Sequence, residues 1–78
     1  MSGWNHRVFR SAMPDGDWFS IHETYYNKNG QPDAATEDSM APGGETPVEL
    51  ADELSRMLAA CSKPVLAFVD DKIVEWKP

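Results

Sequence analysis

The most constraining feature of the chain is a segment that carries both a start and a stop signal for one amphipathic helix. Thr46 can act as the N-cap, Pro47 suits the first helical position, and Glu49 completes a Thr-x-x-Glu capping box. Pro64 cannot continue a helix and disfavours helical geometry at the residue before it. The sequence therefore predicts a helix over residues 47–62.

Apolar side chains recur along this predicted helix at the spacing of one face. They are Leu50, Ala51, Leu54, Met57, Leu58 and Cys61. A helix of about four turns is not stable alone in water, so we expect this stripe to pack against another part of the chain. The polar side of the helix carries Glu49, Asp52, Glu53 and Arg56.

Segments typical of β-strands lie on both sides of the helix. Strands are predicted at about 4–12, 18–27, 34–37 and 65–69, and residues 73–76 fit either a last short strand or an extended tail. Asp-Gly at 15–16 and Asn-Gly at 29–30 indicate turns between the first three strands. We therefore predict a single α+β domain over residues 1–78. It would have a three- to four-stranded antiparallel sheet with one helix packed on one face, in the order β-β-β-α-β.

Side-chain alternation along the second strand divides its residues between two faces. The face expected to meet the helix carries Phe19, Ile21, Glu23 and Tyr25, and the other face carries Trp18, Ser20, His22, Thr24 and Tyr26. With Trp4 and His6 of the first strand added, the second face forms an aromatic surface that a single-layer sheet leaves open. Exposed aromatic residues mark interfaces, so Trp4, Trp18, His22 and Tyr26 are candidate partner-binding residues.

Negative charge is concentrated in one part of the chain. The net charge is −6, and residues 29–55, called the acidic segment below, contain seven acids and no base. Such a surface repels phosphate backbones and favours a basic protein partner, although it also fits a solvated face that maintains solubility. The candidate partner-binding acids are Glu37, Asp38, Glu45, Glu49, Asp52 and Glu53.

Other features of the composition restrict location and chemistry. A single cysteine excludes an intramolecular disulfide, and its place on the apolar stripe predicts that Cys61 is a small core residue in a reducing compartment. No stretch is apolar enough for a secretory signal or a membrane span, so we expect a cytoplasmic protein. A chain of 78 residues builds only a modest core, so a homodimer is also considered.

The sequence contains no motif that predicts a catalytic, cofactor or metal site. His22 and Glu23 are adjacent on a strand and point to opposite faces, and spacing places no third ligand beside His6 and His22. The glycines at 43 and 44 lack the lysine and the spacing of a phosphate-binding loop. We therefore expect no cofactor, no bound metal and no catalytic residue.

Several motifs give the chain a specific fingerprint: WNHRV, WFSIHETYY, TED and APGGET. Together they resemble a group of small bacterial and phage proteins that carry no assigned activity. The succession of three strands, Gly-Glu-Thr-x-x-Glu-Leu and an amphipathic helix is also similar to the N-terminal domain of HicB-like antitoxins. The third strand departs from that family because it lacks the Pro-Gly-Cys-type segment. The second resemblance therefore implies a fold more than a role.

These observations lead to three hypotheses about function. The first is a non-catalytic, acidic protein-binding module, such as an anti-CRISPR-like inhibitor by which a phage or mobile element blocks a nucleic-acid-handling defence complex of its host. The second is an antitoxin-like subunit that neutralises a small basic toxin. The third is a metal-dependent or small-molecule-binding enzyme that uses His6, His22 and Glu23.

Overall fold

The computed structural model describes residues 3–78 and folds them into a five-stranded sheet with one helix. In chain order the elements are β1 (Gly3–Met13), β2 (Gly16–Tyr26), β3 (Pro32–Ala35), α1 (Pro47–Ala60), β4 (Leu66–Val69) and β5 (Lys72–Glu75). The predicted α+β fold, in which three strands precede one helix and a further strand follows it, is confirmed. The helix ends at Ala60 rather than at residue 62.

β1 and β2 form a long antiparallel hairpin that is the centre of the sheet. Its register pairs Gly3 with Tyr26 at the open end and Met13 with Gly16 at the turn. Gly16 has a φ angle of 134°, which residues with a side chain rarely adopt. Glycine at this position allows the chain to re-enter the sheet directly after the turn at Pro14 and Asp15.

The strand order across the sheet is β3-β2-β1-β4-β5. β4 runs parallel to β1, with Phe9 opposite Leu66, and is antiparallel to β5. The prediction of a purely antiparallel sheet of three or four strands is therefore wrong in detail, because the sheet has five strands and is mixed. The connection explains the difference: α1 carries the chain from β3 to the far side of β1, and a helical crossover returns it in the same direction.

The sheet curls until its two edge strands, β3 and β5, contact each other. Its inner face, on the side away from α1, holds Phe9, His22 and the fully buried Thr24. The ring of Phe9 stacks on Phe68 at a centroid separation of 5.1 Å and meets the ring of His22 at the same separation. The expectation that this face is open is wrong, because the curled sheet encloses most of it.

Helix α1 lies on the outer face of the sheet, against β1, and is rotated about its axis relative to the sequence prediction. Met57 is only 5% exposed, Ala60 is buried, and Glu53 contacts His6 of β1. Positions 53, 57 and 60 lie on one line along a helix. Because all three contact the sheet or are buried, this line faces the sheet. The predicted stripe lies beside that line, and its exposed members are Leu50, Ala51, Leu54, Leu58 and Cys61.

The two ends of α1 follow local signals, but the residue after it does not have the predicted environment. Thr46 caps the helix, because its hydroxyl accepts a hydrogen bond of 3.1 Å from the Glu49 N–H. Cys61 is the C-cap and is exposed, so the prediction that it is a core residue is wrong. The rotation of α1 turns the line that contains Cys61 away from the sheet.

The helix rotation predicts opposite outcomes for two neighbouring residues of the apolar stripe. Met57→Ala should lower the free energy of unfolding by about 2–5 kcal/mol, since it leaves a cavity in the core. Leu58→Ala should change that free energy by no more than about 0.5 kcal/mol, because the side chain is exposed. Urea denaturation followed by circular dichroism measures both values. Equal losses in the two variants would contradict the described helix orientation.

Candidate functional site

A groove of about 420 Å³ runs between helix α1 and strand β2 on the outer face of the sheet. It is called the α1/β2 groove below. Its lining consists of Trp18, Phe19, Ser20, Ile21, Ser39, Met40, Pro42, Leu54, Met57, Leu58 and Cys61. None of these described residues is charged, so the groove offers an apolar surface with a few small polar groups.

The groove exists because α1 is anchored over β1 and leaves part of β2 uncovered. The far wall is built by the chain after β3, which continues along β2: the Thr36 N–H donates to the Glu23 carbonyl and the Met40 N–H donates to the Ile21 carbonyl. These two hydrogen bonds, of 2.9 and 2.8 Å, fix residues 36–40 beside the strand. The wall on the helix side is the exposed part of the apolar stripe.

Large apolar side chains in the groove are far more exposed to solvent than core residues are. Leu58 is 73% exposed, and Phe19 and Leu54 are each close to half exposed. A single exposed leucine is ordinary on a protein surface, but a contiguous group of this kind is typical of a contact surface. The groove is therefore the main candidate functional site.

Sequence reasoning did not find the groove, although one signal for it was present. Apolar side chains extend along α1 and its C-cap at Val48, Leu50, Ala51, Leu54, Met57, Leu58, Ala59, Ala60 and Cys61. At 100° per residue these positions span more of the helix circumference than contact with one strand can bury. The excess indicates that a second surface meets the helix.

The candidate acids predicted from the sequence do not form one patch. Glu45, Glu49 and Asp52 are exposed around the first turns of α1, and Asp38 is exposed in the loop before it. Glu37 lines a separate cleft on the other side of the sheet. Glu53 is turned towards β1, so it is the one helical acid that the fold itself uses.

The Glu53 carboxylate joins helix α1 to the sheet. Its Oε1 lies 2.7 Å from Nε2 of His6, which is only 4% exposed, and its Oε2 accepts a hydrogen bond of 2.9 Å from Arg56. The hydrogen bond from Arg56, followed by the interaction with His6, holds the pKa of Glu53 below its ordinary value. The carboxylate is therefore ionised and fully engaged at neutral pH, which makes Glu53 a structural residue rather than a free partner-binding acid.

The predicted aromatic surface is divided between the two faces of the sheet. The register pairs His6 with Glu23 and Arg7 with His22, so His6 and Trp4 lie on the helix side and His22 on the inner side. The idea that these residues share one open face is wrong. Because the two histidines are on opposite faces, they also cannot contribute to one site.

His22 and Tyr26 are both occupied by hydrogen bonds within the protein. His22 is buried; its Nδ1 donates to the Thr36 carbonyl at 2.9 Å, which leaves Nε2 to accept from the Ser20 hydroxyl at the same distance. The Tyr26 hydroxyl donates to Asn5 and accepts from Arg7. These two candidate residues therefore support the fold. Trp4 and Trp18 remain exposed.

Residues 3–78 contain neither a cluster of metal-ligand side chains nor a membrane-spanning helix. In that range no three side chains of His, Cys, Asp or Glu come together at a distance suited to a metal ion. The helix of the described chain lacks the length and apolar character needed to cross a bilayer.

Comparison with known proteins adds no family assignment. No protein-family model matches the chain, and no curated protein or solved structure is significantly similar to it.

The Glu53 contacts predict a pH-dependent contribution to stability. A carboxyl group whose pKa is lowered by folding stabilises the folded state above its ordinary pKa of 4.5, and this contribution is lost as the pH falls through the lower folded value. Wild-type protein should therefore be more stable than Glu53→Gln at neutral pH, and the difference should shrink below pH 4.5. Denaturation curves over a pH series test this, with exposed Glu75→Gln as the matched control. A difference that does not vary with pH would contradict the assigned role of the charge.

Proposed function

We propose that this protein is a non-catalytic binding module that holds a protein partner in the α1/β2 groove. The observation that carries the proposal is the exposure of the apolar stripe of α1 beside an uncharged groove. In a small protein, a contiguous apolar surface of this kind supports contact with another molecule better than it supports contact with water.

The energetics indicate what shape the partner needs. Covering one large apolar side chain contributes about 1.5–3 kcal/mol, whereas association itself costs about 4–15 kcal/mol. One inserted side chain is therefore insufficient, and Phe19, Leu54 and Leu58 have to be covered together. A partner that lays a helix or an extended segment along the groove meets this requirement.

The charge of the partner follows from the surroundings of the groove. The wall formed by Ser39, Met40 and Pro42 and most of α1 belong to the acidic segment, which contains seven acids and no base. Exposed carboxylates in this segment favour a partner with basic residues around an apolar ridge, and they accelerate its association. Nucleic acid is disfavoured for the same reason.

A partner of this description is common among proteins that handle nucleic acids, whose surfaces are basic. The function proposed for the chain is therefore inhibition, in which the module occupies a basic surface that otherwise contacts phosphate groups. A defence complex of the host, blocked by a protein from a phage or mobile element, is the specific form of this proposal.

Two exposed residues of α1 provide a matched test of the groove. Leu58 lies in the groove and is 73% exposed, whereas Val48 is 71% exposed but does not line it. Leu58→Gln should weaken partner binding by about tenfold or more, since it removes an apolar contact worth at least 1.4 kcal/mol. Val48→Gln should leave binding unchanged.

The experiment captures partners from a lysate of the source organism on wild-type protein and on both variants in parallel. Proteins retained by wild type and Val48→Gln but lost with Leu58→Gln are groove-dependent partners, and their mass-spectrometric identification shows whether they are basic. Light scattering run on the same samples detects a homodimer. A groove-dependent homodimer with no other partner would reject the proposed function, as would retention of all partners by Leu58→Gln.

The contribution of the acidic residues to partner binding is tested separately with the identified partner. Replacing Glu45, Glu49 and Asp52 by their amides should slow association and reduce its salt dependence, because these acids lie at the helix. The control replaces Asp70, Asp71 and Glu75 by their amides, which gives the same change in net charge outside the acidic segment. Association rates from surface plasmon resonance measure both. Equal slowing in the two triple variants would show that only total charge matters.

A further inference from the structure

A second cleft, of about 610 Å³, lies on the opposite side of α1 from the groove. It is formed where the start of β1 meets the second half of the helix and is lined by Trp4, Asn5, His6, Arg56, Ala59 and Lys63. Its volume is within the range of about 300–1,000 Å³ that is usual for small-molecule sites. It is called the basic cleft below.

The basic cleft has a charge opposite to that of the protein as a whole. The chain has seven Lys and Arg against thirteen Asp and Glu, yet two of the bases and none of the acids are in the lining. Arg56 shares its guanidinium with Glu53, and more than half of its side chain is exposed. Lys63 makes no ion pair among the described residues, so its ammonium group is free to bind an anion.

The aromatic wall of the cleft supplies a second type of contact. The indole of Trp4 is more than half exposed and meets the ring of His6 edge to face at a centroid separation of 5.5 Å. His6 holds the indole in position, since it is buried and tied to Glu53. A flat aromatic surface of this kind stacks favourably on planar rings.

His6 adds a polar group that the fold leaves unused. Its Nε2 lies 2.7 Å from the Glu53 carboxylate in an ion-pair contact, and neither of its buried ring nitrogens makes a hydrogen bond of good geometry among residues 3–78. Buried polar groups are nearly always paired, and an exception calls for an explanation such as a catalytic role or a bound water or ion. The unpaired imidazole therefore indicates that the contact between α1 and the start of β1 includes a candidate ligand site.

We infer that the basic cleft binds a small anion that carries a planar ring, with the ring against Trp4 and the anionic group between Arg56 and Lys63. A nucleoside monophosphate and an aromatic carboxylate share this chemistry. Both fit a cleft of this size, and neither requires the α1/β2 groove. The site is thus independent of the proposed protein-binding function.

Isothermal titration calorimetry of the whole chain with adenosine monophosphate, and separately with indole-3-acetate, tests the inference. Saturable one-to-one binding of either probe is expected, and the probe that binds more tightly identifies the class of ligand. Trp4→Ala should weaken binding by about tenfold or more, while Trp4→Phe keeps part of the affinity because it retains a ring. Lys63→Gln should weaken it by about tenfold.

Lys28→Gln, in the exposed turn between β2 and β3, is the matched control for the loss of one positive charge. It should bind the probes as the wild type does, and circular dichroism confirms the fold of every variant. Absence of saturable binding for both probes overturns the inference. Binding that Trp4→Ala and Lys63→Gln leave unchanged places the probe elsewhere and overturns it as well.

Discussion

The contact between His6 and Glu53 is the interaction on which the surface of this protein depends. A buried imidazole and a largely covered carboxylate lie 2.7 Å apart, and the imidazole would lose this contact if the helix turned away. The contact places position 53 over β1, and Met57 and Ala60 follow on the same line of the helix. As a consequence the widest part of the apolar stripe faces sideways, towards β2, and remains accessible.

The helix in this position separates two surfaces of different character. On one side lies an apolar groove that borders the acidic segment, and on the other lies a cleft with an exposed indole and two basic side chains. The first suits a ridge of apolar side chains on a basic protein, and the second suits a small ring-bearing anion. Because Arg56 and His6 both contact Glu53, the residues that anchor the helix also form part of the second surface.

Curling of the sheet decided which aromatic residues are available for contact. The pairing of β1 with β2 could be predicted from the turn residues and the β-prone segments, but the enclosure of the inner face could not. It depends on β4 and β5 being added beyond β1 and on β5 reaching β3. For this reason His22 is buried and Tyr26 is half-buried, both with hydrogen bonds inside the protein, whereas Trp4 and Trp18 stayed exposed.

By itself the sequence determined the features that depend on neighbouring residues. These are the N-cap at Thr46, the helix that follows it, the first hairpin and the acidic segment, because propensity, turn chemistry and charge act over a few positions. The rotation of α1, the parallel entry of β4 and the α1/β2 groove were decided only by the tertiary structure. Each depends on residues far apart in the chain, such as His6 and Glu53. The periodicity of α1 alone does not show which face of the helix contacts a buried polar residue of the sheet.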